Sequence, residues 1–456
     1  MNAPGTIPFL GRCSFQEAKD SIERFFIVSS VLIGTTKSAH IRLTIHLRSF
    51  RANPTDRTRL RSTSSIFCAA ADRALATRIP AQEEFPYNGR GDMHIPDGYL
   101  SPSTCAALYV CSASGWYAAL KRIKGRLHTR TIPLVSVFAA FAFVVMMFNV
   151  PLPGGTTGHA VGVTVAAIVL GPWGSILAIS IALAIQALFF GDGGITTLGA
   201  NCFNMAVVGS FVAYAVYQAV ATRSARTSRR RIFAAGIAGY AAINASALLA
   251  AIEFGIQPTF FHDAHGAPLY APYPLHVAIP AMMLGHLTFA GLAEAAISAG
   301  MISYLQKADI GLLGGIKDFP DVRQALSAPA AVSSQGRLWG VVATLMLLTP
   351  LGILAAGTAW GEWSAADYAK SERRAQIEAS SDRNAAPPAP PAGMKQLSTV
   401  WTAPFPNYAP RFIRSAAFGY VMSAMFGVGI LLLASLLFKS LLVHSPSGKG
   451  PSRVST

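Results

Sequence analysis

The sequence predicts an all-α polytopic membrane protein: a transmembrane bundle of about seven spans with two further spans at its C-terminal end. Three observations predict it. Apolar residues make up 52% of the 456 residues and charged ones only 13%, a balance that soluble chains of this length do not carry. From residue 101 onward the apolar residues run in blocks of about 18–25, the length at which a helix crosses a hydrocarbon layer ~30 Å thick. The net charge of +16 is bunched in short runs between those blocks, which reads as membrane topology and gives no reason to expect a nucleic-acid partner.

Residues 1–92 stand apart. They are rich in Arg, Ser and Thr, and their one apolar run, FFIVSSVLIG at 25–34, is too short to span a bilayer. Acidic Glu17, Asp20 and Glu23 precede that run and no small-residue cleavage pattern stands before Met93, so a secretory signal fits poorly. The segment reads as a non-native leader or a disordered extension. The stretch that follows, MHIPDGYLSP at 93–102, looks instead like the beginning of a protein, with Ser101 placed to cap the first long helix.

Spans are expected near 101–120, 133–150, 159–170, 173–190, 198–221, 232–254 and 276–305, then 338–357 and 416–440. The third and fourth are joined by Gly171-Pro172-Trp173-Gly174, a turn signal inside continuous hydrophobicity. KRIKGRLHTR (121–130) and TRSARTSRRR (222–231) each hold five Lys or Arg, whereas PLPGGTTG (151–158), GDGGITTLG (191–199) and the 255–274 loop hold none. The positive-inside rule assigns the first two to the cytoplasm and the other three to the outside, with Met93 outside and the C-terminal tail inside the cell's inner membrane. The domains expected are thus 93–305 for the seven-span unit, 306–337 for an interfacial cytoplasmic linker, 338–445 for a two-span auxiliary unit with a long external loop, and 446–456 for the tail. Within that loop, RNAAPPAPPAGMKQ (383–396) reads as an extended, mobile spacer, and Trp360 and Trp363 as anchors at the outer interface.

The chemistry concentrates at the outer face. If Met93 is the first residue, its free amine, the His94 backbone nitrogen and the His94 imidazole form adjacent five- and six-membered chelate rings around one metal. A fourth nitrogen closes a square, and the next histidine on that face is His159, approached through the slim Pro151-Leu152-Pro153-Gly154-Gly155 turn. An all-nitrogen square suits Ni(II) and Cu(II) and can accept Co(II). The plainer reading of a lone histidine at a helix start is an interfacial hydrogen-bonding residue. Asp192, in a glycine-rich loop, together with Asn201 and Asn204, is placed to orient a ligand imidazole, as is Asn149 beside the turn. His262, Asp263 and His265 form an HDxH cluster that either collects metal or is simply solvated. His286 and Glu294 share a face of span seven, where contacts between helices are expected.

Four stretches, MHIPDGYLSP, PLPGGTTGHAVG, FFGDGGITTLGANCFNMA (189–206) and AIPAMMLGHLTFAGLAEA (278–295), closely resemble the cobalt/nickel-specific membrane component of energy-coupling factor transporters, the CbiM/NikM type. The resemblance covers roughly 93–305. It implies a seven-helix fold, a mature chain beginning at the Met of MHIPDG, and a metal held by the Met93 amine, the His94 backbone and imidazole nitrogens and the His159 imidazole. It also implies Ni2+ or Co2+ as transported substrate, with ABC-type ATPase subunits and a transmembrane coupling subunit on separate chains. The stretches LTPLGILAAGTAWGEWS (348–364) and PNYAPRFIRSAAFGY (406–420) resemble the small NikN-like or PDGLE-like auxiliary component, here fused. The chain departs from the family in one respect: Met93 is internal, and an internal peptide nitrogen cannot serve as the amine ligand.

The ATP-binding pattern GxxxxGK[ST] does not occur in the sequence. An enzyme, such as an intramembrane hydrolase using Ser210 with His159 or His286, is not expected, because no G-x-S-x-G elbow accompanies them. The nearer alternative is a self-sufficient secondary divalent-metal permease, which would want paired charges midway through spans, whereas this chain has only Glu253, near an outer end, and Glu294. Cys105, Cys111 and Cys202 lie in apolar segments without a CxxC pair, so neither a disulfide frame nor a thiolate metal site is expected.

Overall fold

The computed structural model describes residues 94–123, 131–152, 156–314, 331–354, 360–361, 363–380, 387–408, 410, 412–413 and 415–443. Met93 and the leader before it, the basic run 124–130, residues 153–155, residues 315–330 of the linker and the tail lie outside the described residues.

Ser101 caps α1 (Pro102–Ile123) as its sequence suggests: its hydroxyl accepts from Thr104 N at 3.2 Å, and Pro102 sits where a missing N–H costs nothing. Next comes α2 (Thr131–Met146), which is buried almost throughout. It stops before the end expected for span two. Residues Pro151 and Pro153 cannot continue a helix ladder, and the chain turns instead into an antiparallel hairpin of β1 (Asn149–Leu152) and β2 (Thr156–His159).

The following element, α3 (Val163–Ile185), is broken at Gly171, whose φ of 71° and ψ of 168° are outside the helical range. The break is a reversal: Ser175 Oγ donates to the Val163 carbonyl at 3.3 Å, although residues twelve apart in a straight helix lie ~18 Å from each other. Glycine tolerates the positive φ and Pro172 starts the next leg, so the expected third and fourth spans are an antiparallel pair. A π turn, Gln186–Phe190, ends the second leg. Helices α4 (Leu198–Ala221), α5 (Arg229–Phe260) and α6 (Leu275–Ala308) follow, with π segments at Cys202–Val208 and His286–Ala290. Small residues bring α5 and α6 close together: a Cβ on Gly239 would meet Ser298 Oγ at 2.7 Å.

The C-terminal pair consists of α7 (Ala331–Leu348), extended by a 3₁₀ turn at Thr349–Leu354, and α11 (Ala416–Val443). Between them lie the short helices α8 (Ala365–Ala369), α9 (Ser371–Ser380) and α10 (Ala392–Leu397). Both α7 and α11 pack on α2, which explains why α2 has no lipid-exposed face, and Gly427 lets the α11 backbone come against the Phe143 ring. Among the described residues six helices are long and apolar enough to cross a membrane: 163–190, 198–221, 229–260, 275–308, 336–354 and 416–434. Helix α1 is long enough but more polar, and the apolar part of α2, Ile132–Met146, is shorter.

Two expectations for the segment between α7 and α11 need correction. The Pro-Ala stretch 383–396 is no extended spacer in its described part: residues 392–397 are helical, Met394 is buried, and Met394 N donates to the Leu269 carbonyl at 3.1 Å. Trp360 and Trp363 are not interfacial anchors but are 5% and 1% exposed, packed with Tyr273, Tyr99 and Phe254 in a second core cluster at one end of the bundle. The prolines of this stretch signal low helix propensity in isolation. Here apolar anchors such as Met394 supply the burial that orders the segment, and no local signal in the sequence reveals a partner surface that distant.

Candidate metal centre

The chain before α1 is held rigidly to the loop between α3 and α4. Asn201 clamps Ile95 from both sides, accepting from its N–H and donating to its carbonyl, each at 3.1 Å. Thr197 Oγ1 and Gly194 N also donate to the Ile95 carbonyl. Asp97 caps the same loop, accepting from Ile195 N at 3.1 Å and Thr196 N at 2.7 Å and also from the Thr196 hydroxyl. These bonds place His94 against the glycines of GDGG. Gly193 has a φ of +85°, and a Cβ on it would stand 2.9 Å from the His94 Cβ. The loop's glycines are therefore what let the histidine in.

The His94 ring is buried, with Nδ1 2.9 Å from Asp192 Oδ1. Its Nε2 has no hydrogen-bond partner among the described residues. Asp192 is itself 4% exposed and its other oxygen accepts from the Tyr408 hydroxyl at 2.6 Å. Burial alone would push this carboxyl up, but the neighbouring His94 charge and hydrogen bond, the Tyr408 hydroxyl and the His159 charge outweigh it and bring the pKa to about 2. Asp192 is an anion here, an acceptor only, and the His94 nitrogen facing it must carry the proton.

His159 arrives from the other side, on the last residue of β2, where the hairpin register sets it directly across from Asn149. Its ring centroid is 4.9 Å from that of His94, at an interplanar angle of 60°. His159 Nδ1 lies 3.0 Å from the Ala160 carbonyl, so Nδ1 carries the hydrogen and Nε2 the lone pair. The backbone after it is pinned by a carboxylate: Val161 N and Gly162 N donate to Glu294 Oε2 at 2.7 and 2.9 Å. Below the two rings is a cavity of about 70 Å³ whose wall includes Asn201, Asn204, Met205, Met282 and His286. Three of its residues, Asn204, Met205 and His286, come from the π segments, which commonly mark functional places in helices.

Of the residues foreseen from sequence, the structure brings together His94, His159, Asp192, Asn201 and Asn204. Asn149 stands beside His159 in the hairpin, its Oδ1 buried and unpartnered among the described residues, and Asn204 donates to Glu253 at 2.9 Å. Met93 lies outside the described residues. His286 gives Nδ1 to the Met282 carbonyl at 2.9 Å, while Ser210 donates to Ser175 and forms no bond to a histidine among the described residues. The HDxH cluster is an exposed turn, organised by Asp263 accepting from His265 N and Ala267 N. Sequence reasoning missed Glu294 as the holder of the His159 backbone and missed Tyr408. The first carried a signal, a carboxylate at membrane depth, and the second carried none.

The cobalt uptake substrate-specific transmembrane region, CbiM, matches residues 94–311, and the PDGLE domain matches residues 335–444. The fused nickel transport protein NikMN of Rhodobacter capsulatus is 52% identical over 341 residues, covering 75% of this chain and 95% of that protein. The chain belongs to the CbiM family, in the form fused to a PDGLE domain. Another relative, named a probable fused nickel transport protein LarMN, from Lactiplantibacillus plantarum, is 39% identical across 75% of this chain and 96% of its own length. A crystal structure of a transition metal transporter is 49% identical over 48% of this chain and 94% of its own, with a TM-score of 0.45. As a CbiM-family member the chain is a membrane transport component and not an enzyme. All of the histidines and carboxylates just described lie in the CbiM region, whereas Tyr408 comes from the PDGLE region.

Proposed function

We propose that this chain is the substrate-specific membrane component of an ATP-driven energy-coupling factor importer, and that it binds one nickel or cobalt ion in a square of four nitrogens at the outer face. The ion is the cargo. The observation that carries the reading is the pairing of two buried imidazoles at one cavity, His94 and His159, with a separate hydrogen-bonding partner at each ring. Outer partners of this kind set which ring nitrogen keeps its lone pair.

The Met93 amine and the His94 backbone nitrogen supply the other two donors once Met93 is the first residue of the mature chain. The family match beginning at residue 94 supports that start. A six-membered chelate ring with the His94 backbone nitrogen uses Nδ1, so loading includes a half-turn of the ring about Cβ–Cγ, after which Asp192 accepts from Nε2. Asn149, Asn201 and Asn204 serve as the polar surround that fixes the hairpin, the Ile95 backbone and the cavity wall. The relatives named for nickel transport favour nickel over cobalt as cargo. ABC-type ATPases and a coupling membrane subunit, on other chains, supply the energy, and the basic loops face them in the cytoplasm.

N-terminal sequencing and metal analysis of the protein purified from its native membrane test the reading together. A free Met93 with one nickel or cobalt per chain, lost on His159→Ala, is expected. A chain that retains residues 1–92 and binds metal without His159 would rule it out.

A further inference from the structure

Resting on that reading of the site, we propose that Tyr408 is a positioning residue for the metal, so that the fused PDGLE region completes the metal centre of the CbiM region. Its hydroxyl fixes the Asp192 carboxylate, and the carboxylate orients the His94 ring.

The two oxygens of Asp192 face different partners: Oδ2 accepts from the Tyr408 hydroxyl at 2.6 Å, and Oδ1 lies 2.9 Å from His94 Nδ1. Gln186 Nε2 in turn donates to the Tyr408 oxygen at 3.0 Å. The backbone carbonyl of the same Gln186 accepts from Asp192 N at 3.2 Å, so one residue holds both ends of the Tyr408–Asp192 pair. Whichever edge of the His94 ring faces Asp192 carries the hydrogen, and the opposite nitrogen keeps the lone pair that a cation needs.

Tyr408 is built to hold this place. It is 5% exposed, and its ring stacks on Phe190 with centroids 4.7 Å apart and planes 19° apart. Tyr420 of α11 meets it edge-on at 5.4 Å and anchors itself to the Met147 carbonyl. Its own carbonyl accepts from Ser423 Oγ at 2.9 Å. The hydroxyl is thus delivered by the start of α11, and a shift of that helix relative to α3 is transmitted to the His94 ring through two hydrogen bonds.

The test uses the full chain as purified from its native membrane, with nickel(II) ion as the titrant. Affinity comes from calorimetry, the ligand field from the d–d absorption of the bound ion, and stability from thermal unfolding of the metal-free protein. Tyr408→Phe and Asp192→Asn should each weaken nickel binding by about 10–100-fold and shift the absorption band, and the double variant should be no weaker than the worse single one. Ser423→Ala, which loosens the Tyr408 backbone but leaves its hydroxyl, should bind within about threefold of the parent. Parent affinity and an unshifted band in Tyr408→Phe would overturn the proposal. So would independent, multiplying effects of the two substitutions, or an affinity loss matched by an equal loss of thermal stability. A full His159→Ala defect beside an unaffected Tyr408→Phe would remove this proposal alone, whereas nickel binding indifferent to His159 would remove it together with the site.

Discussion

His94 and His159 share one cavity but are held in different ways. His94 is fixed through its ring, by a carboxylate from the GDGG loop that Tyr408 also holds. His159 is fixed through the backbone that follows it, by a carboxylate from α6 that accepts two peptide N–H groups. The two buried acids therefore do different things. Asp192 meets the ring of its histidine, and in the proposed site it orients that ring toward the metal. Glu294 satisfies the turn between β2 and α3, and it acts on whether the hairpin stands where it does. A metal site assembled from two arms needs both, because a square of donors tolerates little error in either position.

Substitutions can break that contrast. His159→Ala removes a donor outright and is expected to cost more than the ~100-fold typical of losing a supporting group, read as nickel affinity by calorimetry. Glu294→Ala strands two buried N–H groups, at about 1–3 kcal/mol each, so thermal stability and affinity should fall together, and stability unchanged would show that the carboxylate does not hold the hairpin. Gly193→Ala forces a Cβ against His94 at a φ of +85°, a strain of about 1–3 kcal/mol that should weaken metal binding by roughly tenfold or more with a smaller change in unfolding temperature.

Proton competition sharpens the contrast further. In the proposed ligand set the amine and amide nitrogens release protons on binding, so nickel affinity should fall by about tenfold per pH unit for each proton displaced as pH drops from 8 to 6. Asp192 does not contribute to that slope. Its depressed pKa supplies stability that is fully present above the ordinary value near 3.8 and is lost only as pH falls through about 2. A flat affinity between pH 8 and pH 6 would remove the amine and amide from the ligand set. Smallest of all, Tyr99→Phe deletes the 2.6 Å bond to the Trp363 carbonyl and the contact to the Tyr368 hydroxyl, at about 1 kcal/mol of stability, and should leave metal affinity unchanged. A loss of affinity there would mean that the aromatic cluster and the metal site are one unit.

The sequence by itself determined the order of the helices, since apolar length and turn residues are local properties of the chain. Gly171-Pro172 specified a reversal because glycine alone tolerates the required φ and proline begins the next leg. It also determined the candidate ligands, because glycine-rich approaches to His94 and His159 leave a recognisable pattern. Nothing local foretold the β1–β2 hairpin that sets His159 across from Asn149, because both strands are short and rich in proline, glycine and threonine. The fate of the segment between α7 and α11 was equally hidden: its prolines say only that a continuous helix is not expected there. Tertiary structure decided where Met394, Trp363 and Tyr408 are buried, and with them that a carboxylate at position 192 joins a histidine at 94 to a tyrosine at 408. The physical reason is that a buried hydrogen bond is specified by two surfaces brought together by folding, and either surface alone reads as an ordinary polar residue in a loop.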